Sequence, residues 1–259
     1  MKKTITSCLM TFLISAISFA QTNPVAKGVN YIETQTYTEA ENAEILKLYE
    51  KLRVADVSDG MDMVGLPNTG LVDQAIHPDW VDLVNLSHIF RGIAVTARYV
   101  PTQRPDRPQP GEDFAAWEGH FYSTYSSEAF AAAIQKGSVV VLDDVEDKDI
   151  GSIGSNNILS WVKAGAVALQ KVPLYLRKKG RGIRPGRNEL ESVNRPVVIG
   201  GVLVCPGDVV VADGDGVVVV PRKVAKQVAE YAQAILDKDK AGRLELYKSL
   251  GIPLDDTVK

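Results

Sequence analysis

Two segments of this sequence carry groups suited to binding an anion. Gly154-Ser155-Asn156-Asn157 opens the run GSNNILSWVKAG, which reads as a helix. A helix start presents N–H groups without intrahelical partners and the positive end of the peptide dipole, so it can hold a carboxylate. Gly154 leaves room for close approach, and Ser155 and Asn156 are residue types that cap. Taken alone, this is an ordinary capped helix start. The second segment, Lys171 to Arg195, holds eight basic residues against Glu189 and Glu191, with Arg181, Arg184 and Arg187 spaced by Gly and Pro. The planar fork of arginine binds carboxylates and phosphates bidentately, although most charge runs are simply solvated loops.

Other chemistries find little here. His77, His88 and His120 lack metal-ligand spacing, and there is no Gly-x-Ser-x-Gly elbow. Asp213-Gly214-Asp215-Gly216 looks like the start of a calcium loop, but valines follow at once and the ligand at loop position twelve is missing. Cys205 lies in an apolar run and reads as a small core residue.

The elements that position these groups follow from pattern. EAENAEILKLYEKL, from Glu39, sets Ile45, Leu46, Tyr49 and Leu52 on one helical face. VADVSDGMDMVG predicts a second short helix, with Asp56 or Ser58 as its cap and Gly65 as its stop. GIAVTARYV (Gly92–Val100) alternates as a strand, and the four prolines of PTQRPDRPQPGED predict an exposed loop. Ser123–Lys136 reads as a helix capped by Ser126 or Ser127 and stopped by Gly137. SVVVLDD is a buried strand. In PVVIGGVLVCPGDVVVADGDGVVVVP, three strands are separated by the turns Cys205–Asp208 and Asp213–Gly216. Lys223 to Leu250 closes the chain as one or two amphipathic helices.

The first twenty residues have the layout of a secretory leader: Lys2 and Lys3, an apolar stretch from Cys8 to Phe19, and Ser18-Phe19-Ala20 at the cut. Residues 21–38 are patternless and read as a flexible lead-in, leaving 39–259 as one domain. The expected location is the periplasm or the exterior, with no membrane attachment after cleavage. Removing a leader with two lysines and no acid takes the net charge from −3 to −5. That balance argues against nucleic acid, whose binding rests on neutralising phosphates. Only Cys205 would survive cleavage, so no intrachain disulfide is expected.

Four blocks in order, VADVSDGMD, GIAVTARYV, GSVVVLDDV and GGVLVCPGDVVVADGDGVVVVP, resemble the RraA-like family of 4-hydroxy-4-methyl-2-oxoglutarate aldolases and ribonuclease-activity regulators. The resemblance covers roughly Glu39 to Glu230. It implies an α/β fold, a layered β/β/α sandwich of the swivelling type, assembled as a homotrimer or homohexamer. It further implies a Mg²⁺- or Mn²⁺-dependent lyase that releases pyruvate from a small oxo-acid by retro-aldol cleavage or oxaloacetate decarboxylation. In such aldolases the backbone amides at the position of Gly154, Ser155, Asn156 and Asn157 bind the pyruvate carboxylate. The basic stretch resembles one found in a branch of the family.

One part of the pattern is missing. After Gly165 the family continues through a core strand to an Asp-Gly-x-x-Arg-Asp turn, whose arginine polarises the keto oxygen and whose aspartate anchors the metal. Here Gly165-Ala166-Val167 runs on through Ala168-Leu169-Gln170-Lys171 to Val172-Pro173, and no Arg-Asp dipeptide occurs anywhere in the chain. A deletion is the reading this favours, since a parallel crossover needs a connecting segment. Asp143 and Asp144, at a strand end, are the best substitutes for the lost metal ligand, though acids at strand ends are more often merely solvated. Two expectations follow: a lyase impaired by this loss, or a non-catalytic anion-binding or regulatory scaffold.

Overall fold

The computed structural model describes residues 30–104, 113–146, 148–167, 172–255 and 257–258. The leader, most of the proline-rich loop and Ala168–Lys171 lie outside the described residues. The chain divides into two units, Met1–Glu33 and Thr34–Lys259; the fold described here is that of the second.

Its frame is a five-stranded sheet built around β2 (Phe90–Pro101). One edge of β2 pairs in parallel with β3 (Ser138–Asp143). The other edge is shared: Phe90–Ile93 pair with β8 (Val209–Asp213), and Ala97–Pro101 with β5 (Asn188–Val193). β9 (Gly216–Val220) follows β8 antiparallel. A two-stranded ladder joins β1 (His77–Pro78) to β4 (Tyr175–Leu176), and a hairpin joins β6 (Val197–Ile199) to β7 (Val202–Val204).

The valine-rich strands are continuous because both of their faces are covered. Val209, Val211, Val218 and Val220 face α1 (Glu39–Tyr49), α2 (Val54–Met63) and α5 (Ala225–Leu250). Val210, Ala212 and Val219 face the β6–β7 hairpin, packing with Val197, Val202 and Val204. Helices, sheet and hairpin thus form the expected three layers. Along α5, Ala225, Val228, Ala229, Ala232 and Leu236 are buried at helical spacing, and no residue beyond Leu236 in this helix is buried.

The first helix starts at Glu39, where its pattern begins. Thr38 Oγ1 accepts from the Glu41 amide at 3.2 Å, and the Glu41 carboxylate accepts from the Thr38 amide at 2.7 Å, a reciprocal capping box. The Arg222 guanidinium stacks over the Tyr37 ring at 4.2 Å, which fastens the chain just before the cap. Thr38→Ala should cost about 1 kcal/mol of stability, read as a lower urea midpoint with an unchanged slope.

Several elements depart from the sequence reading. Asp56 is the third residue of α2, not its cap; its buried carboxylate accepts from the Arg53 amide and guanidinium. Residues 123–136 do not form one helix. The helix α3 (Phe114–Thr124) ends first, and a 3₁₀ turn, Ala129–Ala133, follows. Between them Glu128 leaves helical backbone, with φ −110° and ψ 47°. The run PVVIGGVLV is two strands, because Gly200 and Gly201 take φ of +51° and +80° and turn the chain back as a hairpin. Tyr175–Leu176, at the head of the basic stretch, forms a strand that pairs with β1 and not with the main sheet. The basic stretch is a loop only to Arg187, after which it becomes β5.

Ala166 bridges Ser138 in parallel, and the Val167 amide donates to the Ser138 carbonyl at 2.8 Å. Beyond Ser138 the outer edge of β3 has no paired strand among the described residues. A cavity of about 570 Å³ runs along that edge, lined by Val139, Val141, Val167, Val172 and Tyr175.

Candidate functional site

The β3–α4 connection and the basic loop are stitched together. The Gly151 amide donates to the Gly182 carbonyl at 2.7 Å, and the Gly182 amide donates to Asp149 at 3.1 Å. The approach demands glycine at 180: a Cβ there would lie 1.8 Å from the Ile150 carbonyl oxygen. Arg181 closes the outside of this seam with an exposed ion pair to Asp149. Arg187 donates to the Ile183 carbonyl and so braces its own loop. Of the three arginines, only Arg184 turns inward.

Arg184 is 4% exposed. Its guanidinium donates to Tyr99 Oη at 2.9 Å and to Glu128 at 2.8 Å, and lies over the rings of Tyr122 and Tyr99. Tyr99 in turn donates to the Ser127 carbonyl at 2.7 Å. Burial pushes the Tyr99 phenol up to about 12, so it stays a neutral donor.

Helix α4 (Ser155–Ala164) brings the second segment to the same place. Its cap differs from expectation: neither Ser155 nor Asn156 caps, and Asn157 Oδ1 accepts from the Gly154 amide at 2.8 Å. This leaves the exposed first-turn amides of Ser155 and Asn156, which a helix start cannot satisfy internally. Asn157 Nδ2 reaches the other way and donates to Glu128. One turn on, Trp161 Nε1 donates to the second oxygen of Glu128 at 2.8 Å. Phe130, fully buried, holds the indole edge-on with ring centroids 5.3 Å apart.

Asn157 and Arg184, from the two segments singled out in the sequence, therefore meet at Glu128, a residue that no local pattern marks. The cleft they share has a volume of about 490 Å³, with Tyr122, Ser127 and Ser152 also on its wall. It is smaller than the cavity beside β3, whose wall is largely apolar but also carries Asp143, Asp144 and Arg177.

Asp143 and Asp144 do not assemble a metal site. Asp143 pairs with Arg98 at 3.3 Å, and burial pushes its carboxyl above its ordinary value while Arg98 pulls it down. Asp144 accepts from Asn188 Nδ2 at 2.8 Å, from the Val145 amide at 2.7 Å and from Ser152 Oγ. The carboxylates are spent on protein donors. Among the described residues no three His, Cys, Asp or Glu side chains converge to hold a metal ion.

Comparison with known proteins agrees with this architecture. The chain is 26% identical over 227 residues to protein DlpA of Legionella pneumophila, a match covering 82% of this chain and 32% of DlpA. The chain thus spans about a third of the length of that curated relative. A crystal structure of an uncharacterized protein from Pseudomonas syringae superposes with a TM-score of 0.59 at 24% identity, covering 89% of this chain and 97% of that one. Streptomyces coelicolor RraAS2, described as an unusual member of the RNase ES inhibitor RraA protein family, superposes with a TM-score of 0.53 at 20% identity, covering 82% and 98%. These two likenesses speak to the fold. The RraA-like family model, Aldolase/RraA, matches residues 54–219, well over half of the sequence and spanning β2, β3, α4 and the β6–β9 meander; the chain belongs to the RraA-like family.

Proposed function

We propose that this protein binds a small anionic oxo-acid at the first turn of α4, and that the metal-dependent lyase chemistry implied by its family is impaired in it. The reading rests on one contrast. The helix start that the resemblance assigns to the carboxylate is present, with Ser155 and Asn156 exposed, whereas the Arg-Asp pair is absent from the sequence and Asp143 and Asp144 are committed to protein partners. A bound Mg²⁺ or Mn²⁺ would supply Lewis-acid stabilisation of negative charge in such a lyase. The acids near α4 do not fit such an ion, and no arginine of an Arg-Asp turn is present to polarise a keto oxygen.

What the chain's own residues do is bind and orient. The first-turn amides and the helix dipole hold a carboxylate, and the Gly151–Gly182 seam fixes the turn against the basic loop. The same observations favour a non-catalytic anion-binding or regulatory scaffold if turnover proves absent. A pyruvate-release assay on oxaloacetate with Mg²⁺ or Mn²⁺ tests the reading: turnover matching that of an intact relative overturns it.

The leader supports export to the periplasm or beyond, and the family resemblance supports a homotrimer or homohexamer. Among the described residues no helix is long and apolar enough to cross a membrane. N-terminal sequencing of the exported protein should begin at Gln21; a chain retained in the cytoplasm with Met1 in place overturns the export reading.

A further inference from the structure

We infer that Arg184, Asn157 and Trp161 form a carboxylate-binding site whose ligand position is marked by the chain's own Glu128. A small monocarboxylate, of formate or acetate size, binds there when the Glu128 carboxylate is withdrawn. This site is separate from the backbone amides of the α4 turn, because it is made by side chains on the inner side of that turn.

The geometry is that of a receptor around an anion. Both oxygens of Glu128 are held: one accepts from Arg184 Nη2 and Asn157 Nδ2, the other from Trp161 Nε1. A carboxylate is an acceptor only, and here every group facing it is a donor, one of them cationic. The donors are themselves fixed. Arg184 is anchored by the Tyr99 hydroxyl and lies 5.2 Å from the centroid of the Tyr122 ring, Trp161 is 6% exposed and packed on Phe130, and Asn157 is tied to the Gly154 amide. None of these contacts depends on Glu128, so the donor set persists without it. The adjoining cleft gives a small anion a way in past Tyr122 and Ser152.

The test is rescue of Glu128→Ala in the full chain. The variant should melt below the parent, since a buried guanidinium has lost its counter-charge. Sodium acetate or formate should recover most of the lost Tm in a saturable way, by mass action on the folded state. Sodium chloride at equal ionic strength should not, and the parent should show no such response. Adding Arg184→Met to Glu128→Ala should abolish the acetate effect. If Glu128→Ala does not fold in chloride, refolding yield in acetate against chloride reads the same contact. Equal effects of acetate and chloride, or acetate rescue that survives loss of Arg184, would overturn the site. The outcome is independent of whether the chain turns over oxaloacetate, so it fails or stands apart from the lyase reading.

Discussion

A version of this chain with an Arg-Asp-bearing turn placed between Val167 and Val172 should decarboxylate oxaloacetate in Mg²⁺ about 10²–10³ faster than the chain as it stands. That range is the effect of one lost charged stabiliser of a transition state, roughly 2.7–4 kcal/mol. Here the metal-anchoring aspartate is missing as well. Losses by groups that act as a unit do not simply add, so the single-group range stands for the pair. The structure adds a second readout. Among the described residues Ala166–Val167 meets β3 at its first residue, Ser138, and the edge beyond lies along a cavity of about 570 Å³. A restored strand should pair with that edge and raise the urea midpoint along with the rate. Measured turnover of the two proteins side by side decides the matter. Equal rates would mean that other groups replace the missing pair, and the impaired-lyase reading would have to be given up.

Arg184→Met should destabilise the fold by about 3–5 kcal/mol, the range for removing one partner of a buried ion pair. Arg184 is almost wholly buried, and its loss leaves the Glu128 carboxylate with only neutral donors, Asn157 and Trp161. The cost is the stranded charge more than the lost attraction. Replacing both partners, Arg184→Met with Glu128→Leu, should therefore be far less damaging than the sum of the single changes, because no charge is left inside. Urea unfolding of the parent, both single variants and the double variant measures this coupling. Additive effects would show that the two residues do not act as a pair. Arg181→Met is the control: its ion pair with Asp149 is exposed, and the midpoint should stay where it is.

These expectations separate what local pattern encodes from what it cannot. The turns at Cys205–Asp208 and Asp213–Gly216, the span of α4 and the helical face of Ile45, Leu46 and Tyr49 are legible, because each depends on neighbours within a turn or two of the chain; Leu52, expected on that face, lies past the end of α1 and is buried all the same. Helix α3 carries a local signal as well: Phe114, Trp117 and Phe121 recur at helical spacing, and adjacent rings sit 5.5 and 5.7 Å apart. The Gly200-Gly201 turn was similarly in plain sight. The identity of the buried arginine was not. Arg181, Arg184 and Arg187 occupy equivalent-looking positions in one basic loop, and nothing local distinguishes them. Arg184 is selected by Tyr99 on β2 and by Glu128, lying 85 and 56 residues away in sequence. Glu128 itself sits among serines and alanines that suggest a helix, and it leaves the helical path where its carboxylate meets donors from α4 and the basic loop. Periodicity and turn chemistry act over a few residues, so they place the elements. The pairing of charges in a low-dielectric interior acts across the fold, and only the packed chain brings those partners within reach.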